Sequence, residues 1–361
     1  MTLFLHLAAR TLRASLAAFA GVLTIFLAVD LLDSAGVIGG PGWLWPAILL
    51  YANKAAVVAH EIAPGALLLG AAVATSGLRQ TREWTALRAL GLGPGRVAGP
   101  VLAATLAAAV ALVIFHDAVG VEAAQRADEI EAVRFAHGQG YRRWLAWQQP
   151  KRWFRGGDGR RVYHLRGTLP GGGFEGVTVL ELTPDFRLAR RIDAGRMFGT
   201  ADGGWRLEGV EERVFDAGGA SRVERAPVRT FRFDEPPGSF DLRPGRPAQM
   251  RLGVLAEQVA LRARLGQPTI EFALERANRL AYPLVAVPGA LLAVALALRR
   301  RRRGHVATAL LEAVGISLSI WAAQGICLGL GLSGRLPPLL AAWLPDLLLL
   351  GVGGWAIRRT R

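Results

Sequence analysis

The 361 residues are 52% apolar and carry 43 Lys plus Arg against 28 Asp plus Glu, a formal net charge of +15. The apolar residues are gathered in uninterrupted runs, which excludes an ordinary soluble chain of two or three domains and predicts membrane spans. With such runs the basic balance points to anionic lipid and away from nucleic acid, and the single cysteine, Cys327, excludes an intrachain disulfide.

A span needs about 20 mainly apolar residues. In chain order the candidates are Ser15–Leu32, Val57–Gly77, Gly99–Val119, Leu280–Leu298, Ala307–Leu330 and Leu339–Ile357. The first could be a signal peptide, since Arg10 and Arg13 precede it, but it is long, ends in Asp30 and Asp33, and its removal would leave an odd number of spans. The second is interrupted at its start by His60, Glu61 and Pro64. With the N-terminus in the cytoplasm, the short inside segments 1–13, 78–98, 299–305 and 358–361 carry 2, 4, 5 and 3 Arg, while the short outside loops 33–56 and 331–338 carry only Lys54 and Arg335. This asymmetry is a strong positive-inside signal and places both termini in the cytoplasm.

Between the third and fourth spans lies a long segment that begins with a helical stretch, VEAAQRADEIEAVRFA. It then shows short β-rich pieces, VYHLRG, GVTVLELT, RLARRIDAGRMF, GWRLEGVEERVF and RTFRF, separated by the turn signals GGDG, PGGG, ADGG and DAGG. Helix returns at Leu252–Leu265. The expected fold is an α-helical integral membrane protein with six transmembrane helices, three before and three after an inserted β jelly-roll-like or sandwich domain. The expected units are a membrane half over 1–119, an outside domain over 120–268 with a β core at about 150–245, and a second membrane half over 269–361. The outside segment has 25 Lys plus Arg against 19 Asp plus Glu, which suits either a solvated surface or an anionic ligand.

Reactive constellations are lacking. His60–Glu61 has no second histidine at zinc-protease spacing, there is no GxSxG elbow, and the six histidines and one cysteine form no cluster in sequence, so no metal or cofactor is expected. No GxxxxGK[ST] loop exists, and the only lysines are Lys54 and Lys151. The chain is therefore expected not to be an enzyme, and any ATP-driven role needs a separate ATPase.

Ionisable residues beside the spans are costly in lipid and stand out for that reason. Asp30 and Asp33 can mark the interface. Arg276 and Arg279 can snorkel to headgroups, or face a cavity and meet a ligand phosphate or carboxylate. Together with Lys54 and Arg134 they are the candidate lipid-substrate contacts.

The polar stretch LRQTREWTALRALGLGPGR, Leu78–Arg96, lies on the cytoplasmic side. A helix over Thr81–Leu92 is expected, with Thr81 as N-cap and Glu83 in the first turn. Trp84, Leu87 and Leu90 form an apolar stripe, and Gly91, Gly93, Pro94 and Gly95 stop the helix. The stripe suits the bilayer interface or a groove in another protein; Glu83 favours the groove, because an acid gains nothing at an anionic leaflet.

Here the chain resembles the LptF/LptG permeases of the bacterial lipopolysaccharide exporter. EWTALRALGLGPGRVAGPVL is similar to that family's coupling-helix segment and the span after it. LFLHLAARTLRASLAAF, GGWRLEGV, RANRLAYPLVAVPGALLAVAL and GRLPPLLAAWLPDLLLLGVG resemble the amino end, an outside-domain strand, the fourth span and the last loop and span. The resemblance implies a bacterial inner-membrane permease paired with a sister permease, as a heterodimer or alternatively a homodimer. It implies an ATPase dimer docked on the coupling helix. Lipopolysaccharide would then pass from the membrane to a periplasmic jelly-roll bridge protein. By match to the motif, Glu83 would engage the ATPase, with Arg79, Trp84, Leu87 and Arg88 shaping the docked face, and Arg276 and Arg279 would fall near a basic pair before the fourth span. Arg82 and Trp84 depart from the usual small polar residue and leucine. The alternatives are a permease of another ABC-type lipid or lipoprotein exporter, or a membrane scaffold that only displays its β-domain.

Overall fold

The computed structural model describes residues 2–135, 153–170, 172–216, 221–240, 246–264, 267–299 and 306–359. It divides into a helical unit, made of residues 1–144, 247–252 and 273–361, and a second unit of residues 145–246 and 253–272 that holds the β-sheet.

The helical unit opens with α1 (Thr2–Ser34) and α2 (Leu44–Gln80), followed by the short α3 (Glu83–Ala89). Next come α4 (Pro94–Phe115) and α5 (Val121–Ile130), joined by a π-turn over His116–Gly120, with a second π-turn at Glu131–Phe135. After the sheet come α6 (Leu252–Arg264), which from Gly253 on belongs to the sheet unit, α7 (Ile270–Leu284), which belongs to the helical unit from Ala273 on, and then α8 (Ala286–Arg299), α9 (Val306–Leu332) and α10 (Pro338–Arg358). Six stretches among these are long and apolar enough to cross a membrane, as the hydropathy runs require.

The helices outrun the apolar runs. α2 starts at Leu44, so Lys54 sits inside a helix and not in the loop expected over Asp33–Ala56. Two prolines shape the bundle. Pro288 can give no N–H to the Leu284 carbonyl four residues back, and the fourth span breaks there into α7 and α8. Pro64 likewise leaves the His60 carbonyl without its donor, and the next carbonyl, of Glu61, accepts from the Tyr282 hydroxyl at 2.5 Å.

Lipid tails are as apolar as leucine, so close packing rather than water exclusion holds such helices together. α1 buries only Leu7, Thr11 and Ser15, one residue per turn. That stripe lies on the small residues of α2, and a Cβ on Gly70 would come within 2.0 Å of Ser15 Oγ. Leu7, Leu78, Trp84, Val97, Val101, Val294 and Leu298 then form one buried cluster.

The sheet unit has six strands in the order of the chain, each antiparallel to the next: β1 (Trp153–Arg155), β2 (Arg161–Thr168), β3 (Phe174–Leu182), β4 (Leu188–Gly199), β5 (Trp205–Phe215) and β6 (Ser221–Phe231). β2 to β5 fall on the β-rich pieces of the sequence. In β5 the buried positions move from Trp205 and Leu207 to Val210 and Glu212, the alternation being reset at Gly209 with φ 65° so that one core is served throughout. Tyr163, Phe174, Trp205, Phe231, Phe233 and Phe240 fill the core. Buried Glu235 ties it together: its carboxylate accepts from the Tyr163 hydroxyl and from the Gly157 N–H at 3.0 Å, and its carbonyl accepts from Trp205 Nε1 at 2.6 Å. A ladder of ion pairs borders this core on the same face, with Arg161 and Arg190 on Glu181 and Arg190 and Arg229 on buried Glu212.

Candidate functional site

The polar link between the second and third spans folds as a tight corner. Thr81 does not cap the following helix. It still belongs to the end of α2: its N–H donates to Gly77 O at 3.1 Å, and its Oγ1 lies 3.0 Å from the same carbonyl and 2.7 Å from Glu83 Oε1. The chain reverses one residue later, at Arg82, which takes the left-handed conformation with φ 60° and occupies the N-cap position. The helix is therefore shorter than the sequence suggests, Glu83–Ala89 instead of Thr81–Leu92. The reason is local: a threonine hydroxyl has a nearer acceptor in the preceding turn, and the direction change must precede the next N–H that can start a helix.

Glu83 sits in the first turn of α3, where an acid complements the helix dipole. Arg10 of α1 reaches it, Nη1 to Oε2, at 3.4 Å. Arg10 passes over Gly77, where a Cβ would come within 2.2 Å of its Nη2. The Glu83 side chain remains 43% exposed, so this pair contributes no more than about 1 kcal/mol to folding, and the carboxylate stays available to a partner.

The apolar stripe expected on α3 divides in two. Trp84 is 6% exposed and packs into the chain's own cluster with Leu7, Leu78 and Val97, with Leu87 half-buried beside it. Leu90 is 76% exposed. Trp84 therefore anchors α3, and the surface offered outward comprises Glu83, Thr85, Ala86, Arg88, Ala89 and Leu90. Arg88 lies over the Trp84 ring at 6.0 Å. Arg79 points elsewhere: its Nη1 donates to the carbonyls of Ala297 and Leu298 at 3.3 and 2.7 Å, capping the C-terminal turn of α8. Arg10 was not a sequence candidate, since nothing local marks it as the neighbour of Glu83.

The four outer basic residues do not come together as one patch. Lys54 is 2.9 Å from Asp30 and 4.0 Å from Glu131, so Asp30 fastens α1 to α2 rather than merely marking the interface. Arg134 and Arg276 are exposed. Arg279 is 3% exposed and turned inward. Its Nε donates to Glu275 at 2.8 Å, its Nη2 to Pro247 O and Ala248 O at 2.9 and 2.7 Å, and its Nη1 to Met250 O. Four of its five N–H groups are thereby used, which closes the snorkelling alternative for this residue.

The family model described as "Lipopolysaccharide export system permease LptF/LptG" matches residues 5–359, nearly the whole chain. The chain belongs to that family. No individual curated protein matches it.

Proposed function

We propose, from membership in the LptF/LptG family of lipopolysaccharide export permeases, that this chain is the permease subunit that draws lipopolysaccharide out of the inner membrane and passes it to a periplasmic jelly-roll bridge. The membership itself makes it a multi-pass inner-membrane transporter component. In this reading a separate ATPase dimer supplies the energy and docks on α3. A sister permease completes the transmembrane pair. Both termini face the cytoplasm and the sheet unit faces the periplasm.

One observation carries the docking step. Between two spans, α3 holds a partly exposed acid and an exposed leucine outward while Trp84 locks the helix to the bundle. A helix so anchored can transmit a push from a soluble engine to α1 and α4, because Leu7 and Val97 share its core. The same logic assigns lipid phosphates to exposed Arg276 and Arg134 before Arg279, whose donors are engaged within the chain. The test is co-purification with the ATPase and measurement of lipopolysaccharide-dependent ATP hydrolysis for Glu83→Lys. Loss of both, with membrane insertion retained, supports the reading. Unchanged co-purification and hydrolysis remove α3 as the docking site, and a chain that purifies alone and is dispensable for export favours the scaffold.

A further inference from the structure

The last turn of α6 carries a cation that is buried without a counter-charge. Arg262 is 5% exposed. Its Nε is sealed and has no hydrogen-bond partner, while the terminal nitrogens keep a narrow opening to solvent. Among the described residues the guanidinium meets an aromatic ring and no acid: Cζ lies 3.9 Å from the ring centroid of Phe272. A charge taken out of water with neither an ion pair nor hydrogen bonds is costly, and such a group indicates a place held for an anion.

Arg279 provides the contrast. It is as deeply buried, but Glu275 and three carbonyls satisfy it from within the chain. Arg262 has no such set. Burial holds its pKa below the ordinary value, and Glu271 is the charge that opposes this. Glu271 is itself exposed, so its attraction reaches Arg262 weakened by water.

The fold of the corner specifies the anion. The Gln267 N–H donates to Arg262 O at 2.9 Å, which turns the chain back between α6 and α7. Phe272 is the third residue of α7, a helix of 15 residues, and helical side chains lean toward the N-terminus. The guanidinium on its ring is therefore beside the first turn of α7, whose opening N–H groups have no acceptor within the helix. A guanidinium lying on a ring donates past the ring edge, so two phosphate oxygens can accept from it side by side while helix N–H groups donate to a third. The same turn opens the fourth membrane stretch, Ile270–Arg299. Where such a helix leaves the hydrocarbon, lipid phosphates lie at its level.

We propose that Arg262, stacked on Phe272, and the first turn of α7 form a site for one phosphate group, as a free ion or as the headgroup of a bilayer lipid, with Glu271 competing against it. The site is built from residues of one chain, so it depends neither on a sister permease nor on the export reading.

The test is thermal melting of the full chain in dodecyl maltoside, freed of lipid and phosphate, at constant ionic strength. Inorganic phosphate raises the wild-type melting temperature saturably, or dioleoylphosphatidylglycerol does so where dioleoylglycerol does not. The first result assigns a free ion, the second a headgroup. Arg262→Met weakens the response to that probe at least about tenfold. Without probe it melts no lower than the wild type, because it removes an unpaired buried charge. Exposed Arg264 loses the same charge in Arg264→Met and changes the affinity less than about twofold. Glu271→Gln tightens binding. No response to phosphate together with equal responses to the two lipids overturns the proposal. So does equal weakening by Arg264→Met, or a lower melting temperature of Arg262→Met without probe, which would make the arginine a packing element. Should Arg262→Met fail to insert, unchanged or weaker binding by Glu271→Gln overturns it instead.

Discussion

Arg10 and Glu83, 73 residues apart, meet at 3.4 Å where α1 crosses the corner between α2 and α3. The contact connects the first span, which buries only three side chains, to the first turn of α3. It is made possible by Gly77, over which the guanidinium passes.

Gly77→Ala is expected to push Arg10 off Glu83, since the new Cβ would lie 2.2 Å from Arg10 Nη2, the movable end of that side chain. Thermal stability should fall by less than about 1 kcal/mol, as for an exposed pair. ATPase co-purification should be retained, while transport-coupled hydrolysis changes. The double variant Arg10→Glu with Glu83→Arg should restore the α1–α3 contact, detected by crosslinking, and still fail to hold the ATPase. Recovery of ATPase binding in the swap would show that the sign of the charge at position 83 is immaterial to docking.

Arg279→Lys is expected to destabilise the helical unit by about 2–4 kcal/mol, because an ammonium has three donors and no fork with which to meet three carbonyls and Glu275 at once. Arg276→Ala should leave the melting temperature unchanged. Unfolding in detergent micelles, followed by tryptophan fluorescence, separates the two. Equal melting of wild type and Arg279→Lys would mean that the clamp adds nothing to stability.

Tyr163 gives the sheet unit a sensitivity to alkali. Burial, and then the hydrogen bond to Glu235, push its phenol well above the ordinary value of 10.0. The folded chain therefore keeps a proton that the unfolded chain releases. Its contribution is fully present below pH 10.0 and is lost as pH rises above that value. Chemical denaturation at pH 9 and pH 11 should show a steeper loss for the wild type than for Tyr163→Phe, which lacks the titrating group. At neutral pH the Phe variant should itself be weaker by about 1–3 kcal/mol, since Glu235 loses a donor while remaining buried. Parallel alkaline losses in the two proteins would contradict the assignment.

Lys54→Met should release the outer end of α1, where Asp30 otherwise holds α2 at 2.9 Å. Faster amide exchange over Asp30–Ser34 is the expected signature, and exchanging the two charges, Asp30→Lys with Lys54→Asp, should slow it again. Unaltered exchange in Lys54→Met would show that other contacts retain the end of α1.

Hydropathy located all six membrane stretches, because twenty apolar residues in a row are a local property that tertiary context does not alter. Strands β2 to β5 were legible from alternation and from the glycine turns between them. β1 was not, being three residues long. β6 was legible only at its end, RTFRF: its first ten residues have no buried position, and Pro227 interrupts the pattern. The short α3 was overestimated at both ends, since the Thr81 hydroxyl turned back to Gly77 and the reversal fell on Arg82, a residue without a sequence signal for positive φ.

For the sites the division is sharper. Glu83 stands out from its local setting, as an acid among arginines at a helix start. The role of Trp84 was not, because an apolar stripe on a short helix does not say whether it faces its own chain or another. His60, Glu61 and Pro64 were visible as interruptions of the second run, but the grouping of His60 and Glu61 with His116, Asn278 and Gln324 from three other segments was not.

By itself the sequence determined the six spans, the arginine asymmetry between their connecting segments, the inserted β-rich segment and the want of a phosphate-binding loop. Each is written in neighbouring residues. Only the tertiary structure decided which polar groups meet: Arg10 with Glu83, Lys54 with Asp30, Arg279 with the carbonyls of 247, 248 and 250, and His60 with His116. In a bundle held together by close packing, a buried charge takes whichever partner the packing brings within reach, and that partner lies tens or hundreds of residues away along the chain.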